Sequence, residues 1–222
     1  YEGRGRAGRR SRRDPEDRPQ RPLLLRLGQE IQEVPRRLNA GALALVSGVL
    51  LALCLPRPGF CPLAWIGLAP LFYALSKRPL RQSFRLGWLA GFAFQGTAYY
   101  WIYSTCRFAK VPSPDASLFV QIAESLIAWG ALAAFQGLTW GISALLGRWA
   151  AQVLPARVRA LGWAIVWTAA AVVLERWTPR FPGDLLEYTQ WRFLSLLQIA
   201  SIAGPHGLGF IIAFFNAALA QA

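Results

Sequence analysis

The chain has 222 residues, of which 55% are hydrophobic and only 16% charged, against roughly 25% charged in an average soluble domain. Of its 35 charged residues (24 basic and 11 acidic), 17 lie in the first 38 positions, which leaves 18 for the other 184 and excludes an ordinary soluble domain. The net charge of +13 divides between a basic tail and short clusters beside apolar runs, a distribution set by membrane topology rather than by nucleic-acid binding.

Residues 1–38 hold eleven arginines and six acids with hardly an apolar residue before Leu23. Such a segment buries too little surface to offset its ordering entropy, so a basic, largely disordered cytoplasmic tail is predicted. Leu24, Leu27, Ile31 and Val34 have helical spacing, which leaves an interfacial helix and a solvated tail both open.

Apolar runs follow at 39–55, 60–75, 84–104, 117–146, 160–175 and 206–222. Held against the roughly 20 residues needed to cross about 30 Å of hydrocarbon, they predict an all-α, polytopic transmembrane bundle with about six crossings. The first, second and fifth runs are marginal in length, so the charges between runs decide. If the tail is cytoplasmic and each run crosses once, 18 basic residues fall inside and six outside. Without the tail, the inner loops still carry Lys77, Arg78, Arg81, Arg85, Arg148, Arg157 and Arg159. The outer set is Arg57, Arg107, Lys110, Arg176, Arg180 and Arg192. Tyr99, Tyr100, Trp101 and Tyr103 at one end of the third run, and Trp149 at the inner end of the fourth, suit headgroup level. Gly87, Gly91 and Gly96 in the third run and Gly130, Gly137 and Gly141 in the fourth permit close helix contact.

Polar residues inside such runs are expensive and therefore functional candidates. Gln95, Gln121, Glu124 and Gln136 qualify. Glu124, about two turns inside the fourth run, suits binding of a substrate ammonium or proton transfer; the plainer alternative is a protonated or snorkelling side chain near the headgroups. The cysteines Cys54, Cys61 and Cys106 have no C-x-x-C spacing, and the single histidine, His206, is remote in sequence. Neither a disulfide framework nor a metal site is predicted, and no cofactor is called for. Leu51 to Cys54 fails as a lipoprotein cleavage site at Leu53, where a small residue is required. His206 stands in Gly204-Pro205-His206-Gly207, which reads as turn chemistry ahead of a helix. The segment 176–200 mixes aromatic and charged residues and is predicted as a loop at the membrane surface. With no methionine and an end inside an apolar run, the chain reads as a fragment.

Several strings together resemble the bacterial apolipoprotein N-acyltransferases. They are Leu55 to Phe72 (LPRPGFCPLAWIGLAPLF), Gly87 to Phe92 leading to Tyr100-Trp101-Ile102-Tyr103, Phe181-Pro182 followed by Tyr188-Thr189-Gln190, and Gly204 to Phe210 (GPHGLGF). Their order and spacing run over residues 40–222. Where this family usually has a tryptophan after Phe-Pro, Gly183 and Asp184 stand here.

The resemblance implies an inner-membrane enzyme that takes an acyl chain from a phospholipid donor. The acceptor is the α-amino group of the diacylglyceryl-cysteine that begins a diacylated apolipoprotein. It also implies a nitrilase-like catalytic domain with a cysteine nucleophile, a glutamate and a lysine, expected beyond residue 222. No catalytic residue is therefore assigned within this chain. Residues 39–222 would anchor that domain and line an entrance for acyl chains, with Trp101, Tyr103, Phe181, Pro182, Tyr188 and Gln190 as the substrate-binding candidates. The partners implied are phospholipid, apolipoprotein and the bilayer, with no nucleic acid. The alternative function is a noncatalytic membrane scaffold fused to another enzyme; a transporter is a more distant one.

Overall fold

A computed structural model of the chain describes residues 39–56, 58–177 and 185–222. The tail 1–38, Phe181 and Pro182 lie outside the described residues. Every regular element among those described is helical. In chain order the α-helices are α1 (Ala40–Ala52), α2 (Ala64–Gly67), α3 (Ala69–Leu75), α4 (Leu80–Ala98), α5 (Tyr100–Ala109), α6 (Leu118–Val153), α7 (Arg159–Trp177), α8 (Leu194–Leu197), α9 (Ile199–Ala203) and α10 (Pro205–Leu219). Short 3₁₀ turns at Cys61–Leu63, Ala156–Val158 and Leu186–Gln190 join them.

Two helical stretches are long and apolar enough to cross a membrane, Leu118–Val153 and Ala156–Val173, and a third is added if the pair Leu194–Ala203 and Pro205–Leu219, bent by 114°, counts as one. The six apolar runs thus yield fewer uninterrupted spans than their lengths predict, for local reasons. α1 has 13 residues and covers about 20 Å at 1.5 Å per residue. It stops before Pro56 and Pro58, and Gly59 turns the chain with φ +84°, a conformation that suits glycine alone. The second run is interrupted at Leu68, just before Pro70, which has no N–H to continue a helix. The third run divides at Tyr99 into α4 and α5, and Arg81 and Arg85 charge the first two turns of α4. The predicted surface loop 176–200 is partly helical, with a 3₁₀ turn at Leu186–Gln190 and, at its end, α8 and the start of α9. The 36 residues of α6 make about 54 Å of helix, longer than a hydrocarbon core of about 30 Å.

α4 and α6 form the most extensive contact, α1 packs along α4, and α7 packs on α6 and α10. The glycines explain how close the first pair comes. A Cβ on Gly91 would stand 2.6 Å from Trp140 Cβ, and one on Gly137 would stand 3.1 Å from Phe92 N and Trp88 O. Gly87 and Gly141 are equally crowded, by Ala144 and Phe84, whereas Gly96 meets Trp129 at ordinary contact distance and Gly130 faces open space. Two indole N–H groups tie the pair: Trp88 donates to Ala134 O at 2.9 Å and Trp129 to Gly96 O at 2.9 Å. An aromatic series crosses the core from α4 to α3. Phe94 meets Trp140 at 5.0 Å between ring centroids, Trp140 meets Trp167 at 5.3 Å, and Phe72 meets Trp167 at 5.6 Å and Trp163 at 4.8 Å.

The polarity of the bundle is inverted relative to a soluble protein. Ser47, Ser83, Gln95, Gln136 and Asn216 are buried, while Phe119, Ile127, Phe135, Ile165 and Ile202 are exposed. That is the arrangement expected where the surrounding solvent is hydrocarbon.

Candidate functional site

Two groups of side chains gather at the end of the bundle opposite Arg148 and Arg159. The first is built on the turn Leu186–Gln190, which packs on α2, α10 and the Cys61–Leu63 turn. Gln190 is fully buried. Its Oε1 accepts from Trp65 Nε1 at 3.2 Å, and its Nε2 donates to Cys61 O and to Thr189 Oγ1, both at 3.0 Å. Those bonds occupy most of an amide's capacity, so Gln190 binds the segment to the helix below it. Glu187 is also buried, and its carboxylate Oε1 lies 3.1 Å from His206 Nδ1 at the start of α10. Gly209, one turn further along α10, makes the space: a Cβ there would stand 2.7 Å from Glu187 Oε2. Tyr188 faces outward and is 45% exposed. The Arg192 guanidinium lies over the Trp191 ring at 4.8 Å from its centroid, an attractive cation–π geometry.

The second group surrounds α5, which packs on α6. Trp101 is exposed and Tyr103 half-buried on this short helix. Beyond it the segment 110–117 is held to α6 by polar contacts. Ser113 Oγ donates to Glu124 Oε1 at 2.7 Å, Gln121 Nε2 donates to Pro114 O and Ala116 O at 3.2 and 3.0 Å, and Arg107 donates to Gln121 Oε1 at 3.4 Å. Glu124 Oε2 is buried with no hydrogen-bond partner among the described residues. Glu124 thus fastens a loop through one oxygen.

Of the sequence candidates, Trp101 and Tyr103 lie on α5, and Tyr188 and Gln190 lie in the turn packed against α10. The sequence reading missed the Glu187–His206 pair because its partners lie in different elements and only the turn against α10 joins them. It also passed over Asn216, although a carboxamide within the apolar run 206–222 was a visible signal of that kind. The thiols of Cys54 and Cys61 donate to backbone carbonyls, of Leu50 at 3.2 Å and Gly59 at 3.5 Å. No group of three metal-binding side chains occurs among the described residues.

The family description "Apolipoprotein N-acyltransferase N-terminal domain" matches residues 47–218. The chain belongs to this family. Among curated relatives, the apolipoprotein N-acyltransferase of Geobacter metallireducens is 33% identical over 195 residues, covering 86% of this chain and 34% of the relative. That of Caulobacter vibrioides is 30% identical over 179 residues, covering 77% and 31%. Apolipoprotein N-acyltransferase 1 of Treponema denticola is 27% identical over 183 residues, covering 81% and 30%. The chain therefore spans about a third of the length of these relatives. As an apolipoprotein N-acyltransferase N-terminal domain it contributes apolar helices and two polar fastenings at one end of the bundle.

Proposed function

We propose that the chain is the membrane domain of an inner-membrane N-acyltransferase, which moves an acyl chain from a phospholipid to the α-amino group of an apolipoprotein's diacylglyceryl-cysteine. The observation that carries this reading is the family match over 47–218 on a bundle whose exposed surface is apolar. The named relatives support the acyltransferase class. In this reading residues 39–222 cross the inner membrane about six times, with short helices such as α1 completing their spans by packing, and the basic tail 1–38 lies on the cytoplasmic side. The end bearing Glu187 and Glu124 then faces outward, and the seven inner-loop cations, Lys77, Arg78, Arg81, Arg85, Arg148, Arg157 and Arg159, face inward, as the positive-inside rule requires.

The bundle's role is to hold a catalytic domain at the outer surface, where a cysteine takes the acyl group as a thioester and passes it to the amine. Trp101, Tyr103 and Tyr188, which present aromatic surface at that end, are assigned to the acyl entrance, together with Phe181 and Pro182, which shortly precede Tyr188 in sequence. Gln190 holds the wall of that entrance in place. The deciding experiment is acylation of a diacylated lipoprotein peptide by the full-length protein and by a variant lacking the downstream nucleophilic cysteine. Activity lost in the variant supports the reading. Activity retained, or a gene with no such domain, favours a noncatalytic scaffold.

A further inference from the structure

At the cationic end a cleft of about 70 Å³ opens between α3, α6, α7 and α10. Its floor is apolar, made by Phe72 and Trp163, and its rim carries Arg148, Arg159, Ser76 and Gln221. Each arginine is anchored through Nε to a backbone carbonyl, Arg148 to Arg78 O at 2.9 Å and Arg159 to Leu154 O at 3.2 Å. A guanidinium held at Nε still presents its four Nη–H donors in a fork that matches phosphate oxygens. The two positive charges repel each other. Among the described residues neither arginine forms an ion pair, and the acidic side chains that the structure places, Asp115, Glu124 and Glu187, all belong to the opposite end. Along α10, His206 and the cleft-lining Ala217 stand eleven residues apart, about 16 Å.

We propose that this cleft binds the phosphate of an anionic phospholipid headgroup between Arg148 and Arg159. Two converging guanidinium groups recognise a phosphate that a zwitterionic headgroup also carries, but an anionic headgroup brings no second positive charge to be repelled. The apolar floor takes the glycerol end. A basic pocket between membrane helices on the inner side is the form in which such headgroups are recognised. The bound lipid neutralises the two arginine charges at the cleft and ties α6, α7 and α10 together.

The inference rests on the membrane reading above, and its test separates the two. Full-length protein, stripped of lipid in detergent, is titrated with phosphatidylglycerol, phosphatidylcholine or inorganic phosphate while retained lipid is followed by native mass spectrometry. The site predicts preferential retention of phosphatidylglycerol. Each of Arg148→Gln and Arg159→Gln should weaken that retention about fivefold, and the pair about thirtyfold. Arg148→Lys with Arg159→Lys, which keeps the charge, should retain most of the preference and shows that loss in the glutamine variants is not loss of fold. Arg81→Gln with Arg85→Gln, an equal charge change outside the cleft, should leave it unchanged. An equal loss in that control would make the effect general surface charge and overturn the proposal. So would indifference between the two lipids, or displacement of the lipid by millimolar inorganic phosphate, which would make the ligand a soluble anion. Protein that requires detergent but shows no lipid preference refutes this site alone; protein recovered from membranes without detergent refutes both readings.

Discussion

The Asn216 carboxamide occupies the break in the backbone at Leu68. Its Oδ1 accepts from Leu68 N–H at 2.8 Å and Ala69 N–H at 2.9 Å, and its Nδ2 donates to Ala64 O and Ile212 O, each at 2.9 Å. Ser47 Oγ, from α1, accepts from Leu71 N–H at 2.8 Å. A helix interrupted at membrane depth leaves backbone groups with no water to bind, and side chains of neighbouring helices must serve them. α1 and α10 are thus attached to the 61–75 segment by the same defect that shortens it.

Replacing Asn216 with Leu keeps the volume but strands two buried N–H groups and a carbonyl. At about 1–3 kcal/mol for each unsatisfied group, partly relieved by rearrangement, a net loss of about 2–4 kcal/mol is expected. Denaturant titration of the full-length protein in detergent reads this directly. A change below about 0.5 kcal/mol, the level of an unremarkable surface substitution, would show that the break is satisfied in another way.

Gly91 and Gly137 set the separation of α4 and α6, so leucine at either position should force the helices apart. With a Cβ of Gly91 already at 2.6 Å from Trp140 Cβ, the expected cost is at least the 1–3 kcal/mol of an overpacked core. Leucine at Gly130, which faces open space, should be tolerated to within about 0.5 kcal/mol. Folded yield in detergent by size-exclusion chromatography distinguishes these variants; equal behaviour of Gly91→Leu and Gly130→Leu would contradict the packing.

The Glu187–His206 contact holds the turn 186–190 on α10. Either single alanine substitution removes this contact, and a coupling of about 1–2 kcal/mol is expected for residues in direct contact. A double-mutant cycle with Glu187→Ala and His206→Ala measures it. Because His206 is 24% exposed, water at that side screens the pair and keeps the figure modest. Additive single effects would show that the two residues contribute independently.

Orientation is open to a direct check with cysteine substitutions at Lys77 and Asp115, both exposed and separated by α4 and α5. In right-side-out vesicles a membrane-impermeant maleimide should label the Asp115→Cys variant at once and the Lys77→Cys variant only after permeabilisation. Labelling of both from one side would remove the crossing assigned to α4.

Much of this protein was legible in its linear pattern. Apolar runs interrupted by short basic clusters located the helices, since each run must avoid water and each cluster must stay in it, and the starts of α6, α7 and α10 fall within two residues of the predicted ones. The family resemblance was carried by strings such as Gly204 to Phe210, because order along the chain is itself what such a match compares. Other features needed the folded chain. That Asn216 serves Leu68, that Glu187 meets His206, and that Arg148 and Arg159 converge on one cleft are consequences of helix direction and rotation, which bring together residues 148, 19 and 11 positions apart. Hydrophobic content determines that a segment leaves water, but it is nearly uniform around α1, α6 and α7. Which face turns inward was therefore decided by glycines that admit a neighbouring backbone and by buried polar groups that must find partners.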